Sequence, residues 1–463
     1  MTVLAAKAFA TLPLEPAVLA NLTELGYHDM TPVQAMSLPH VLAGRDVIAQ
    51  AKTGSGKTAA FGIGLLRGLN PRFFGVQALV LCPTRELADQ VAKELRRLAR
   101  ATDNIKILTL CGGVPMGPQL GSLAHGAHVV VGTPGRILKH LQKDSLDLGG
   151  VKTLVLDEAD RMLDMGFHDD IVAVVAKVPA QRQTLLFSAT YAPEIRALSG
   201  NFQHDPVAVT VDAVHADTQI EQVFFEIERS SRAAALKAVL RHYQPASAIL
   251  FCNTKQLCAD IEESLRADGF HVCALHGDLE QRDRDLTLVR FANGSCPLLV
   301  ATDVAARGLD VKDLAAVINV ELAFEPDVHI HRIGRTGRAG QTGLALSLCA
   351  PAEASRALAI EQAQQRPLVW REVPSVTASA AMPLPKIITL NIAGGRKDKL
   401  RPGDILGALT GEGGIAGTLI GKIDIFDTQA YVAIDRSAAD QALRALTQGR
   451  IKGRSFKARR IAD

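Results

Sequence analysis

DVIAQAKTGSGKT, residues 46–58, joins a short apolar run to a loop punctuated by glycine. The loop follows the phosphate-binding pattern G-x-x-x-x-G-K-[ST], with Ala51 in place of the first glycine and Gly56, Lys57 and Thr58 at the remaining positions. Gly54 and Gly56 free the backbone to wrap a phosphate so that amide N–H groups point inward at a helix N-terminus. Lys57 then supplies a positive charge to the outer phosphates, and the Thr58 hydroxyl is a natural magnesium ligand. A glycine-rich turn that binds nothing is the bland alternative. A strand before the loop and a helix after it weigh against that reading.

The same strand-then-turn grammar recurs along the chain and predicts parallel sheets. In the first half the apolar runs are 46–50, 78–82, 105–110, 128–132, 153–157 and 184–188; in the second they are 248–252, 271–275, 297–301, 315–319 and 344–348. Two α/β units in tandem follow, 1–211 and 220–370, joined by the polar stretch 212–219. A Pro/Ser/Ala-rich linker, 371–385, precedes a third domain over 386–463.

The polar words of the chain stand directly behind those strands. PTREL (83–87), CGG (111–113), TPGR (133–136), DEAD (157–160) and SAT (188–190) each follow or close one. Ligands of open α/β sheets bind beyond the carboxyl ends of the strands, so these words share one rim. DEAD gives that rim a second chemistry. Asp157 is placed to hold magnesium through water, and Glu158 to orient or deprotonate an attacking water.

Composition narrows the field. A chain of 463 residues, 48% hydrophobic and 21% charged, suits two or three globular domains. Its seven cysteines contain no C-x-x-C pair and read as buried thiols in a reducing compartment rather than a disulfide framework or a zinc site. No convincing secretory leader is present, and no apolar run reaches the ~18–20 residues that span a bilayer. A cytoplasmic protein without membrane partners is expected. The net charge of +3 hides an asymmetry: residues 386–463 carry 14 Lys+Arg against 8 Asp+Glu, leaving an acidic balance of −3 for residues 1–385. The basic tail points to a polyanionic partner.

With DEAD, the phosphate loop, PTREL, TPGR and SAT in order, the chain resembles a DEAD-box RNA helicase over about residues 9–370. Such loops commonly begin with alanine in that family, which accounts for Ala51. The resemblance implies two tandem RecA-like domains that bind ATP and Mg2+, with Ala51, Lys52, Thr53, Gly54, Ser55, Gly56, Lys57 and Thr58 as the phosphate cradle. It makes GYHDMTPVQ (26–34) an adenine-reading segment, with Gln34 on the base edge and Tyr27 on its face. Asp160, Ser188 and Thr190 become coupling residues between nucleotide and RNA, the two hydroxyls bonding the DEAD segment. Thr84, Arg85, Gly113, Thr133 and Arg136 match family contacts to the RNA backbone; taken singly, each also fits an ordinary strand-end loop.

The second half lacks a phosphate loop of its own. By the resemblance, HRIGRTGR instead supplies Arg335 and Arg338 to the γ-phosphate, with His331 linked to the hydrolytic water, and RGLD supplies Asp310 to the ribose. Gln281, Arg284, Thr302 and Arg307 take RNA-side and coupling positions, and His329 stands where the family often has an aromatic residue.

The tail reads βαββαβ, a small α+β domain of the RNA-recognition-motif type. Its third strand, AYVAID (430–435), keeps only Tyr431 as a stacking residue, which argues against base stacking on the sheet. Basic groups gather instead at 394–401 and 452–460, and Arg396, Lys397, Lys399 and Arg401 are the expected RNA contacts. This architecture resembles the bacterial DbpA type within the family, whose tail tethers the helicase to large-subunit ribosomal RNA. An RNA-dependent ATPase that locally and non-processively unwinds such RNA, acting as a monomer in ribosome assembly, is the reading this supports. An ATP-gated RNA clamp with little remodelling activity and a related DNA helicase are the alternatives.

Overall fold

The structure, a computed structural model, describes residues 7–51, 54–211, 220–306, 314–337, 342–375 and 383–461. The expected linker 212–219 and the middle of the expected linker 371–385 lie outside them. One compact unit holds the first sheet; the other holds the second sheet together with the tail domain.

Among the described residues the first sheet comprises β1 (Val47–Gln50), β2 (Ala78–Leu81), β3 (Ile107–Leu110), β4 (Val129–Gly132), β5 (Thr153–Asp157), β6 (Gln183–Ser188) and β7 (Val207–Thr210). All pairings are parallel, in the order β3-β4-β2-β5-β6-β1-β7. Alternation along each strand splits the core into two layers: Val47 and Ala49 face one, Ile48 the other. Such two-sided burial is why these strands read as unbroken apolar runs. Phe61, on the helix Lys57–Arg67, packs its ring 5.4 Å from that of Phe187 on β6 and so seats the helix that begins at Lys57.

The second sheet repeats the plan with β8 (Ile220–Glu226), β9 (Ala248–Cys252), β10 (Val272–Leu275), β11 (Leu298–Thr302), β12 (Ala316–Asn319), β13 (Gly343–Cys349) and β14 (Trp370–Arg371). It is also parallel, ordered β10-β11-β9-β12-β13-β8-β14. Two of the seven cysteines stand together: the start of β10 and the turn before β11 bring the sulfurs of Cys273 and Cys296 to one buried spot.

The tail has β15 (Ile387–Ile392), β16 (Ile420–Ile425), β17 (Ala430–Asp435) and β18 (Ala458–Arg460), antiparallel and ordered β16-β17-β15-β18. Helices Pro402–Thr410 and Ala439–Gln448 cover one face through Ile388, Leu390, Val432 and Ile434. The last strand of the βαββαβ order is short, Ala458–Arg460; Lys452 and Gly453 adopt positive φ and turn the chain before it.

Candidate functional site

Strand order sorts the polar words into two groups. β5, β6 and β1 are consecutive neighbours, so the DEAD, SAT and phosphate-loop segments emerge side by side. β3, β4 and β2 form the other flank, and behind them stand CGG, TPGR and PTREL. The sheet thus separates a nucleotide-type rim from a second polar rim on the same edge.

In the first group, Gly54 and Gly56 have φ of +84° and +94°, a backbone that side chains rarely adopt. A Cβ at Gly56 would also collide with the amide of Gln34. Lys57 opens its helix with its side chain buried and its Nζ without a hydrogen-bond partner among the described residues. Asp157, at the end of β5, is 2% exposed, and its Oδ1 is likewise unpartnered. Burial holds the Asp157 carboxyl above the ordinary carboxylate range; Lys57 opposes this and Glu158 adds to it. Buried polar atoms left unmatched are costly, and a buried ammonium and carboxylate flanking a glycine cradle fit a phosphate and a hard cation together. The chemistry of these donors therefore fits a phosphate group together with a hard cation such as magnesium.

Glu158 takes φ +54°, a left-handed conformation at the N-cap of the helix Ala159–Asp164. Such strain in a non-glycine residue persists where surroundings enforce it. Here the carboxylate accepts from Arg161 Nη1 at 2.5 Å, which fixes its orientation. Asp160 Oδ2 accepts from the backbone N–H of Ala189 at 3.1 Å. DEAD and SAT are thus joined, though not through the Ser188 and Thr190 hydroxyls: the backbone amide between them makes the bond, and Ser188 Oγ accepts from Thr190 N.

Two adenine-site expectations meet other partners. Gln34 Oε1 accepts from Thr31 N at 2.8 Å and Nε2 donates to Gly56 O at 3.0 Å, tying this segment to the phosphate loop. The half-buried Tyr27 donates its hydroxyl to Glu94 at 2.6 Å and stands edge-on to Phe9.

On the other flank, Thr84 caps the helix Arg85–Leu98 by accepting from Leu87 N at 3.3 Å. Arg85 pairs with Asp89 at 3.9 Å, Gly113 has φ +75°, and Thr133 starts the helix Pro134–Gln142 that carries Arg136. Arg136 bonds Gln119 and the carbonyl of Val114, both at 2.9 Å.

In the second unit one arginine organises the rim, and it is Arg332, not singled out by the sequence. It is fully buried and grips Asp303 with two bonds of 2.7 Å. It also donates to Asn253 Oδ1 and Glu321 O at 2.7 Å and to Asn319 Oδ1 at 3.2 Å. One side chain thereby ties the ends of β9, β11 and β12 to the helix Pro326–Ile333, which bears the half-buried His331 and leads into the buried Arg335. Arg284 donates to Ala305 O at 2.9 Å and Thr302 accepts from Ala305 N at 3.4 Å, so these two meet at one turn, while Gln281 donates at 2.7 Å to Asp285 within its own helix. Lys52, Thr53, Arg307, Asp310 and Arg338 lie outside the described residues.

The tail's second sheet face is dry. Thr389, Asn391, Tyr431 and Ala433 are each at most 5% exposed. The cover comes from residues 282–295: Asn293 and Ser295 bond Thr389, and Arg282 hydrogen-bonds Tyr431. Burial raises the Tyr431 phenol above its ordinary pKa, with Arg282 opposing. Tyr431 is therefore unavailable for stacking a base. The two basic stretches of the tail meet instead in one surface. Lys452 Nζ donates to Lys399 O at 3.4 Å, and Arg454 bonds Asp398 through its carbonyl at 3.2 Å and its carboxylate at 3.4 Å. Arg396, Lys397, Lys399 and Arg401 are all exposed there, beside Lys452 and Arg454.

A phosphate cradle next to an acidic strand end, on a parallel sheet duplicated in tandem, defines a nucleotide-driven motor of the helicase class. Family comparison agrees: residues 31–198 match the DEAD/DEAH box helicase model, 231–340 the helicase conserved C-terminal domain, and 389–460 the DbpA RNA binding domain. The chain is 56% identical over 453 residues to the ATP-dependent RNA helicase DbpA of Escherichia coli, covering 98% of this chain and 99% of that protein. It is 40% identical over 369 residues to the helicase CshA of Bacillus subtilis, covering 80% and 74%. Dbp5 of Saccharomyces cerevisiae, solved with RNA and ADP BeF3, superposes with a TM-score of 0.73 at 30% identity over 80% of this chain and 96% of that one. The chain belongs to the DEAD/DEAH box helicases and is of the DbpA type. Among the described residues no helix is long and apolar enough to cross a membrane.

Proposed function

We propose that this chain is an RNA-stimulated ATPase that opens short stretches of large-subunit ribosomal RNA, held near its target by the basic loop surface of the tail. The observation that carries the nucleotide half is the unmatched pair of buried charges, Lys57 and Asp157, beside the left-handed glycines of the loop. Magnesium bound there neutralises phosphate charge. Lys57 would bind the outer phosphates, Thr58 and Asp157 would hold the metal, Asp157 through water, and Glu158, oriented by Arg161, would position the attacking water and accept its proton. Arg335 and Arg338 stabilise charge on the transferring phosphoryl group, and His331 links the water to the second unit.

Glu158 and Arg335 belong to different units of the chain. Turnover therefore depends on bringing two bodies together, and an RNA that binds both promotes it by linkage. Thr84, Arg85, Gly113, Thr133, Arg136, Gln281, Arg284 and Thr302 are the residues for that RNA, through phosphate and ribose rather than bases. The protein acts as a cytoplasmic monomer, and unwinding is local because each closure engages one short strand. The test is an ATPase assay with ribosomal RNA fragments, generic RNA and DNA as activators. Ribosomal fragments should activate at the lowest concentration and DNA not at all; equal activation by DNA overturns the reading. Lys57→Ala and Glu158→Gln should abolish stimulated hydrolysis in a folded protein.

A further inference from the structure

Gln119 sits on the helix Met116–Leu123, behind β3, and only 8% of it is exposed. No motif contains it, yet its amide is spent at both ends. Nε2 donates to Cys111 O at 3.1 Å, on the turn that continues into Gly112 and Gly113. Oε1 accepts from Arg136 Nη1 at 2.9 Å and faces His140 Nε2, also at 2.9 Å. The amide orientation is forced: a guanidinium only donates and a carbonyl only accepts, so oxygen must face Arg136 and nitrogen Cys111. The same logic sets the His140 tautomer. Its Nε2 carries the proton and donates to Gln119, while Nδ1 lies 2.9 Å from the Ser145 hydroxyl. Burial, with Arg136 and Lys143, lowers the His140 pKa and keeps the ring neutral.

We infer that Gln119 is a positioning residue for RNA capture, which sets the guanidinium of Arg136 against the Gly112–Gly113 turn so that two loops from neighbouring strands present one phosphate-binding edge. A second bond, from Arg136 Nη2 to Val114 O at 2.9 Å, holds the same guanidinium to the segment just after that turn. Two anchored donors fix the plane of the fork and leave its remaining N–H groups for a ligand. The roots of the two loops are already joined, Thr133 N donating to Leu110 O at 3.2 Å; what Gln119 adds is a link from the Arg136 guanidinium itself to Cys111. A leucine of similar size removes all three bonds at once. Glutamate keeps the acceptor for Arg136 and His140 but sets oxygen against the Cys111 carbonyl.

The inference rests on Arg136 being an RNA contact, and the experiment separates the two claims. RNA-stimulated ATPase is titrated with a single-stranded RNA at saturating ATP for the full-length protein and for Gln119→Leu, Gln119→Glu, Arg136→Ala and Gln119→Leu/Arg136→Ala, with thermal melts for each. Gln119→Leu should raise the RNA concentration for half-activation about tenfold, the weight of one bond to a charged group. Half-saturation by ATP should not move, and Gln119→Glu should recover most of the loss. In the Arg136→Ala background Gln119→Leu should cost nothing further, because it acts through that side chain. If Arg136→Ala leaves half-activation by RNA unchanged, the RNA assignment itself fails. If Arg136→Ala is defective while Gln119→Leu is normal, or if their losses multiply, Gln119 is not its positioner. Should Gln119→Leu melt early, Gln119→Glu decides alone: a loss equal to that of Arg136→Ala overturns the role of the acceptor oxygen.

Discussion

Thr389 and Ser295 share a hydrogen bond of 2.7 Å between hydroxyls, which ties the tail to the second α/β unit. Asn293 donates to the same Thr389 oxygen at 2.9 Å, and Ser295 Oγ lies 3.3 Å from Arg290 O. The donors therefore run in one direction, from the Asn293 amide through Thr389 and Ser295 to a carbonyl. Thr389→Val keeps the shape but strands two buried groups, at a cost of about 1–3 kcal/mol. In a double-mutant cycle with Ser295→Ala, urea unfolding should show coupling of about 0.5–1.5 kcal/mol. Strictly additive losses would mean that the two hydroxyls do not meet.

Arg332 illustrates how a buried charge holds a rim together. Replacing it by methionine leaves the Asp303 carboxylate without its two 2.7 Å bonds. Removing one partner of such a pair costs about 3–5 kcal/mol. Arg332→Met should melt early and lose stimulated hydrolysis, since the helix before Arg335 comes adrift. Arg332→Lys, which keeps the charge but not the fork, should also fall well short of full activity. An ATPase near the parent rate in Arg332→Met would show that the network is dispensable for placing Arg335.

His329 is a source of acid sensitivity. Burial first, then the neighbouring Arg332, push its pKa down to about 3 from the usual 6.5, and Gln222 lies 3.3 Å from its Nε2. The folded state thus keeps the ring neutral while the unfolded chain takes up a proton. The contribution is fully present above about pH 6.5 and shrinks as pH falls toward 3, by about 1.4 kcal/mol per unit. His329→Phe should remove that dependence: between pH 6.5 and 5 the parent should lose about 2 kcal/mol more than the variant. Parallel stability curves from urea titrations at the two pH values would refute the assignment.

How far the sequence could be read follows from range. β1 to β6 and β9 to β13 announce themselves as apolar runs because both faces are buried. β7, β8 and β14 lie toward the sheet edge, where Val207–Thr210 and Ile220–Glu226 mix exposed and buried positions and Trp370–Arg371 is too short to pattern. The site words were legible because chemistry concentrates them in a few contiguous residues. Arg332 was not, although a signal exists: His329 and Arg332 are three apart on one helix and share its inward face, whereas Arg335 follows the helix end. Gln119, Ser295 and Asn293 act across 8 to 96 residues of chain, and no local pattern encodes such partners. The burial of Tyr431 is of the same kind, since it depends on the helix bearing Arg282, 149 residues earlier in the chain, being laid over the sheet.

That burial divides the tail into a docking face and a free basic surface, and the two respond differently to mutation. Lys452 and Arg454 stand exposed beside Lys399 and Asp398, joining the two basic stretches. Lys452→Glu/Arg454→Glu should weaken capture of a ribosomal RNA fragment, and the dependence of affinity on salt should flatten by about 0.7–0.9 in slope for each phosphate no longer neutralised. ATPase stimulation by a generic single strand should survive, because that RNA has the helicase core to bind. Tyr431→Phe should leave affinity for the fragment unchanged, since the side chain is buried and its hydroxyl bonds Gln429 and Arg282 rather than solvent. If instead Tyr431→Phe weakens binding while the double charge reversal does not, RNA enters over the sheet, and the dock formed by Thr389 must open to admit it.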